Sequence, residues 1–433
     1  MNTNPKKKIV IIGAGFAGLK LARRLSGNSY DVTIIDTHNF HEFQPLFYQV
    51  ASARLEPSAI SFPLRKIFHG RKNIDVRIGM IKHIDTQKQQ IHTSNYTYDY
   101  DYLVVATGCT NNYFGNKNIE ANAFPMKTTP QAIALRNKIL LNFEESLTVK
   151  TNEEKAPYLN IAIVGGGPTG VELAGALAEM KNKVLPKAYP SIDFSQLNIY
   201  LIEGSPATLS AMSEQSQKFS RKYLEDMGVT IWTNTRVNDY DGKIITLGNG
   251  KTLQTNTMIW AAGVMGNIPE GIPKESITRG NRIIVNETHE ALGLPNVFAI
   301  GDISYMETKG WEHGHPQLAN VANHQAENLA TNFRNMADGQ ALKPFTYKNP
   351  GTMATIGKRK AVVDMPKFHF HGRLAWFIWM FLHLMLILGV RNKFLIFINW
   401  MFNYFTNDST LRVILLPSKK QSQLGQQYDE LTS

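Results

Sequence analysis

Apolar and polar positions divide the chain into two similar halves and a different tail. Residues 8–12 are an apolar run that ends in the turn GAGFAG and passes into LKLARRLS, where Leu19, Leu21, Ala22 and Leu25 recur at helical spacing. That pattern predicts strand, tight turn, helix. A second apolar run, residues 32–35, ends at Asp36, and residues 101–108 (DYLVVATG) add another buried strand closed by a glycine. A first nucleotide-binding unit therefore fills roughly residues 6–118, followed by a connecting helix around 130–147 and the polar stretch TNEEKAP. The pattern then restarts in LNIAIVGGGPTGVELAGALAEM, continues through NIYLIEG at 198–204 and closes near MIWAAGV at 258–264. Residues 296–302, NVFAIGD, read as a return to the first unit.

The predicted fold is α/β: two Rossmann-like dinucleotide-binding domains, the first discontinuous and the second inserted into it. The expected boundaries are 6–150 and 276–370 for the two parts of the first domain, 157–275 for the second, and 371–433 for a C-terminal segment and tail.

From Arg373 the composition changes abruptly to LAWFIWMFLHLMLILGV and then RNKFLIFINWMFNYF. The run 374–390 has 17 residues, the lower limit for crossing a bilayer, with His383 near its middle and Arg373 and Arg391 at its ends. Trp376, Trp379 and Trp400 among many phenylalanines suit the boundary between headgroups and acyl chains. A helix lying on the membrane is expected, against a spanning helix or a buried dimerisation helix. The start, MNTNPKKKIV, has no separate apolar segment before its first strand, so the body of the protein is expected in the cytoplasm.

Composition adds three constraints. A chain of 433 residues is long enough for two or three domains with a large cofactor between them. A formal charge of +11 suits nucleic acid, an anionic membrane surface or acidic small molecules, and does not choose among them. The single cysteine, Cys109, excludes an intramolecular disulfide, a CxxC redox pair and any all-cysteine metal or iron-sulfur centre, so electron transfer needs an organic cofactor and no metal is expected.

The glycine turns carry the candidate chemistry. Gly13, Gly15 and Gly18 fit GxGxxG between strand and helix, with Ala14, Phe16 and Ala17 between them. This spacing lets a backbone approach a pyrophosphate and sets that anion at a helix N-terminus. Asp36 ends the next strand, where a carboxylate accepts hydrogen bonds from a ribose. Gly165, Gly167 and Gly170 repeat the spacing around Pro168 and Thr169, and Glu203 repeats the acid. The longer gap before Glu203 is assigned to an inserted loop, KVLPKAYPSIDFS. An acid there disfavours a 2′-phosphate, so NADH is preferred over NADPH.

Two such turns, with ATG at 106–108 and AIGD at 299–302, resemble the two-dinucleotide flavoprotein superfamily. FHEFQPLFYQVAS at 40–52, GGGPTGVELAGALAEM at 165–180, WAAGV at 260–264, IGD at 300–302 and the aromatic tail narrow the resemblance to the type II NADH dehydrogenases, single-subunit NADH:quinone oxidoreductases. That resemblance implies FAD near residues 13–18, Asp36, Thr37, His41, Ile81, Thr107, Gly108, Asp302, Ala319 and Asn320. It implies NADH near residues 165–170, Glu203, Ala262 and Gly263, and a catalytic Glu172 at the start of the second helix. The acceptor implied is menaquinone or ubiquinone, reduced without proton pumping. The family's AQxAxQ segment here reads ANVANHQA at 319–326, so Asn320 and His324 stand at the glutamine positions and Gln325 lies one place later; His324 and Gln325 are the candidate quinone residues.

The further expectations are attachment to the cytoplasmic face of the cell membrane through an anionic lipid surface, a homodimer, and no nucleic-acid partner. Superfamily members that use redox thiols are excluded by the cysteine inventory. Two other readings of the same residues are an NADH-dependent flavoprotein reductase with a soluble or protein acceptor, and a redox sensor without turnover.

Overall fold

The computed structural model describes residues 5–27, 29–406 and 411–416. In the first domain β1 (Lys7–Ile12) leads through the glycine turn to α1 (Phe16–Leu25), then β2 (Tyr30–Asp36), β3 (Ile74–Ile78) and β4 (Tyr102–Val105). The second domain contributes β5 (Phe124–Pro125), α2 (Thr129–Ser146), β6 (Asn160–Val164), α3 (Pro168–Glu179), β7 (Asn198–Ile202), β8 (Val229–Trp232) and β9 (Thr257–Trp260). Then β10 (Val297–Ala299) returns to the first sheet and precedes α4 (Ala319–Ala337). The two five-stranded parallel sheets have the orders β10-β4-β1-β2-β3 and β5-β9-β6-β7-β8. The central strands β4 and β6 are buried at every position, as sheets covered on both faces require.

Two details differ from the sequence expectation. Phe124–Pro125, expected in the first domain, pairs with Ile259 and Trp260 at the edge of the second sheet. A two-residue edge strand has no periodicity to betray its partner. The expected loop 183–195 begins as helix: Met180–Val184 forms a wide helical turn and Leu185–Ala188 another, so part of the extra length prolongs α3 before the chain turns back toward β7.

After α4 come β11 (Thr352–Thr355), β12 (Ala361–Asp364) and β13 (His369–His371), a small antiparallel sheet that packs on α3 of the second domain. Gly175 on α3 marks the closest approach, since a Cβ there would lie 2.8 Å from the Gly357 nitrogen. Two helices follow, α5 (Gly372–Leu386) and α6 (Val390–Thr406), hinged at Gly389 with its positive φ. Among the described residues no helix is long and apolar enough to cross a membrane, so 374–390 does not form the spanning alternative. Trp376, Trp379, Met380, Ile396 and Trp400 are buried in the largest core, while Phe377, Phe381, Met385, Leu386, Phe394, Phe402 and Phe405 face outward.

Candidate active site

The two glycine turns are built alike, position by position. Gly13 has φ +98° and Gly165 φ +114°; a Cβ would stand 2.4 Å from the carbonyl oxygen of Ala106 in one and of Ala261 in the other. Gly18 and Gly170 each leave room for no Cβ at all, 1.9 Å from the Gly13 or Gly165 carbonyl oxygen. By contrast Gly15 and Gly167 meet nothing within 4 Å, and each heads a helix that no side chain caps. The open glycine and the uncapped N–H groups make a cradle for an anion, favoured further by the positive end of the helix.

An acid clasps each turn from the following strand. Asp36 accepts from the Ala14 N–H at 2.6 Å and from the His38 N–H at 2.8 Å. Glu203 accepts from the Gly166 N–H and, at 2.7 Å, from the Ser205 N–H. Each carboxylate oxygen keeps lone-pair capacity for a ribose hydroxyl.

Both turns border one continuous cleft. Ala14, Gly15, Phe16, Ala17, Asp36 and Thr37 line it from the first domain, and Pro168, Thr169, Glu172 and Gly263 from the second. Gly13, Thr107, Gly108, Asp302 and Ala319 also border it. Gln317 and Arg282 donate to the Asp302 carbonyl oxygen, each at 3.1 Å, and Cys109 donates its thiol to the Asp302 carboxylate at 3.0 Å. Burial and that carboxylate push the Cys109 thiol up to about 11, which keeps it protonated and a poor nucleophile.

Several expected residues lie behind the cleft instead of in it. His41 is buried beneath the first turn, its Nδ1 2.8 Å from the Ala14 carbonyl oxygen, and burial lowers its pKa to about 4, so the ring is neutral. Ile81 packs in a separate core cluster. Gly18, Gly165, Gly167, Gly170, Glu203 and Ala262 shape the turns without bordering the void. Asn320 donates to the Tyr347 hydroxyl at 3.2 Å. Gln325 is buried and accepts from the Gly301 N–H at 2.7 Å, which fixes the IGD turn. His324 is exposed and borders a shallow depression with Asn328, Phe345, Thr346 and Lys348. The segment 319–326 thus brings Ala319 and Ala322 to the cleft, and neither candidate quinone residue.

Glu172 is the polar group the cleft buries most pointedly. It is the fifth residue of α3 and lies one turn in from the helix end, where the macrodipole no longer explains it. Burial pushes its carboxyl up to about 8, opposed by the Thr355 N–H, 3.3 Å away, and by the Trp379 indole, which does not reach hydrogen-bond geometry. Tyr48 is fully buried nearby, and burial together with the Glu172 charge raises its pKa. Gln49 donates to the Tyr48 hydroxyl at 3.0 Å and accepts from the Trp400 indole at 2.8 Å.

Phe47 and Tyr48, not singled out from the sequence, line the cleft. Tyr48 also lines a hollow beneath α5 and α6, together with Trp376, Trp379 and Trp400. Their signal in the sequence is the apolar-aromatic motif FHEFQPLFYQVAS, which by itself assigns no role to its tyrosine.

Comparison with known proteins finds the same fold. The pyridine nucleotide-disulphide oxidoreductase family model matches residues 7–326, and the NDH2 C-terminal domain matches residues 350–407. A type II NADH:quinone oxidoreductase of Mycobacterium tuberculosis is 34% identical over 412 residues, covering 91% of this chain and 86% of that protein. One from Staphylococcus haemolyticus is 29% identical over 82% of this chain and 89% of its own length. NDH2 from Plasmodium falciparum, solved in complex with NADH, shares the fold with a TM-score of 0.86 at 22% identity, covering 95% of this chain and 100% of that one.

Proposed function

Because this chain belongs to the type II NADH:quinone oxidoreductases, within the pyridine nucleotide-disulphide oxidoreductase family, we propose that its cleft holds FAD on the first glycine turn and NADH on the second. It is an NADH-oxidising, quinone-reducing flavoenzyme. The observation that carries the placement is that two matching glycine turns, each clasped by an acid, meet one cleft, the first through Gly13 to Ala17 and the second through Pro168 and Thr169 at the start of α3, and that the same cleft contains Glu172.

FAD, when bound, supplies the chemistry of accepting a hydride from NADH and passing two electrons onward. The chain's part is placement and protons. Gly13, Gly15, Gly18, Asp36, Thr37, Thr107, Gly108, Asp302 and Ala319 would hold the flavin nucleotide, and Gly165, Gly167, Pro168, Thr169, Gly170, Glu203 and Gly263 the NADH. Quinone reduction consumes two protons, and Glu172, protonated near neutral pH, holds one at the cleft. We place the quinone path under α5 and α6, since Tyr48 borders both the hollow there and the cleft. The outward Phe and Leu side chains of α5 and α6 then lie on the cytoplasmic face of the membrane, where NADH is available. The expected homodimer has to form through another surface.

This reading is tested by anaerobic addition of NADH to the detergent-solubilised protein. The visible flavin band bleaches and then recovers on adding a soluble quinone; bleaching without recovery points to a different acceptor, and no bleaching removes the reading.

A second prediction concerns pH. From 4.5, the ordinary value, to about 8 the folded protein retains a Glu172 proton that the unfolded chain has released, so stability falls as pH rises through that window and levels off above it. Glu172→Gln removes this slope. It also lowers quinone turnover by about 10²-fold and abolishes the decline in turnover above the Glu172 pKa, while flavin bleaching by NADH persists. An unchanged pH profile in the variant excludes Glu172 as the proton source.

A further inference from the structure

A second hollow lies on the other side of the turn that joins α5 and α6, on the first domain and away from the cleft. Six cations from three separate segments line it: Lys20, Arg23 and Arg24 of α1, Lys66 and Arg71 from the stretch before β3, and Arg391 at the start of α6. Among the described residues only Lys20 and Arg24 have an ion-pair partner, and both share Glu327, at 2.8 and 2.7 Å. One carboxylate against six cations leaves a formal excess of five positive charges. Arg23, Lys66, Arg71 and Arg391 are exposed, so the excess faces solvent. Self-repulsion on this scale opposes folding unless an anion answers it.

The rest of the lining says what kind of anion. Phe62, Phe68, Ile67 and Leu388 give the hollow an apolar side, and Ser26, whose hydroxyl has no hydrogen-bond partner, borders it as well. Leu388, Gly389 and Val390 are themselves the hinge between the two helices, and the exposed Leu386, Val390 and Phe394 continue the apolar surface directly from that rim. A soluble phosphate would use the cations and leave the apolar side wet. A phospholipid headgroup uses both, with its phosphate among the arginines and its acyl chains running along the outer face of α5 and α6.

We infer that this hollow binds the headgroup of an anionic phospholipid, as a site distinct from the apolar face that enters the membrane. The inference rests on the membrane attachment proposed above and adds to it a lipid preference located on named residues. It also orients the protein: with Lys20, Arg23 and Arg24 of α1 drawn to the headgroup plane, the first domain rests against the membrane beside the helical hinge.

The test is flotation of the holoenzyme with vesicles of phosphatidylcholine alone and of phosphatidylcholine with a minor fraction of phosphatidylglycerol. The variant is Lys66→Gln/Arg71→Gln/Arg391→Gln, whose side chains make no ion pair or hydrogen bond among the described residues and stand outside the nucleotide cleft. The expected result is tighter binding to the anionic vesicles for the parent protein. At about fivefold per cation near the surface, the triple variant loses that preference by about a hundredfold. Its binding to neutral vesicles and its flavin bleaching by NADH stay unchanged. Equal binding of parent and variant to anionic vesicles overturns the inference. If the parent floats with neither kind of vesicle, it is the membrane reading that has failed.

Discussion

Gly15→Ala folds normally and loses flavin, whereas Gly13→Ala loses flavin and stability together. The two glycines stand two residues apart in one turn, yet the structure gives them different duties. A methyl on Gly13 would meet the Ala106 carbonyl oxygen at 2.4 Å with the backbone at φ +98°. Both the left-handed conformation and the clash have to be relieved by moving β1 or β4, at a cost of several kcal/mol, from about 1–2 kcal/mol of backbone strain and the displacement of a packed strand. A methyl on Gly15 meets no protein atom within 4 Å and needs no positive φ, so the apoprotein tolerates it within about 0.5 kcal/mol. The methyl fills the space into which a pyrophosphate must come to reach the helix N-terminus. The measurement is the ratio of bound flavin to protein after purification, set beside the melting temperature of the apoprotein. Gly167→Ala is the matched control in the second turn: it keeps its flavin and weakens NADH binding. Normal flavin content in Gly15→Ala would falsify the assignment of the first cradle.

The second large effect is on the membrane. Phe381→Glu/Phe394→Glu changes two side chains that are 61% and 63% exposed, one on each C-terminal helix. Because so little of either ring is covered by protein, the fold is nearly indifferent to the change. Each phenylalanine contributes about 2 kcal/mol when it enters an apolar phase, so the pair weakens attachment by about 10³-fold even before the charges are counted. Flavin bleaching by NADH and turnover of a water-soluble quinone persist, and binding to neutral vesicles is lost. Retained flotation with those vesicles excludes this face as the membrane contact. Point substitutions are the right instrument here. Deleting residues from 373 onward removes Trp376, Trp379 and Trp400 from the largest core and Trp379 from beside Glu172, so a truncated chain reports on folding and not on attachment.

The position of Glu172 connects these two results. The indoles of Trp379 and Trp400 come from the helices whose outer faces are apolar, and they close over a carboxyl and a phenol whose pKa values are raised mainly by that burial. Loosening α5 or α6 admits water to the site and draws Glu172 back toward an ordinary carboxylate value. On the proposed reading, membrane attachment and proton supply are therefore linked through packing.

What the sequence determined by itself was everything that depends on neighbours a few residues apart. The two GxGxxG turns have the predicted strand before them and helix after them because each glycine answers a local demand: a positive φ, a close carbonyl or an open approach. The return of residues 297–299 to the first sheet was likewise legible, since a short apolar strand ending in a glycine turn needs a sheet to join. The outward position of His324 was written there too. It lies two residues past Ala322, about 200° around the helix from it, so the spacing of Ala322, Ala326 and Leu329 already turned it to the outside.

The tertiary structure alone decided what depends on distant segments meeting. Asp36 and Glu203 clasp the turns as well as standing where a ribose binds, which only the folded hydrogen bonds disclose. His41 was drawn beneath the turn because a buried carbonyl oxygen needed a donor there. Residues 48, 172, 355, 379 and 400 share no motif spacing, and their assembly into one buried site follows from packing β11 onto α3, α5 onto β11 and α6 onto α5. A carboxyl pKa near 8 is a property of that enclosure and not of a glutamate in a helix, because desolvation is set by what covers a group and no local sequence states what will cover it.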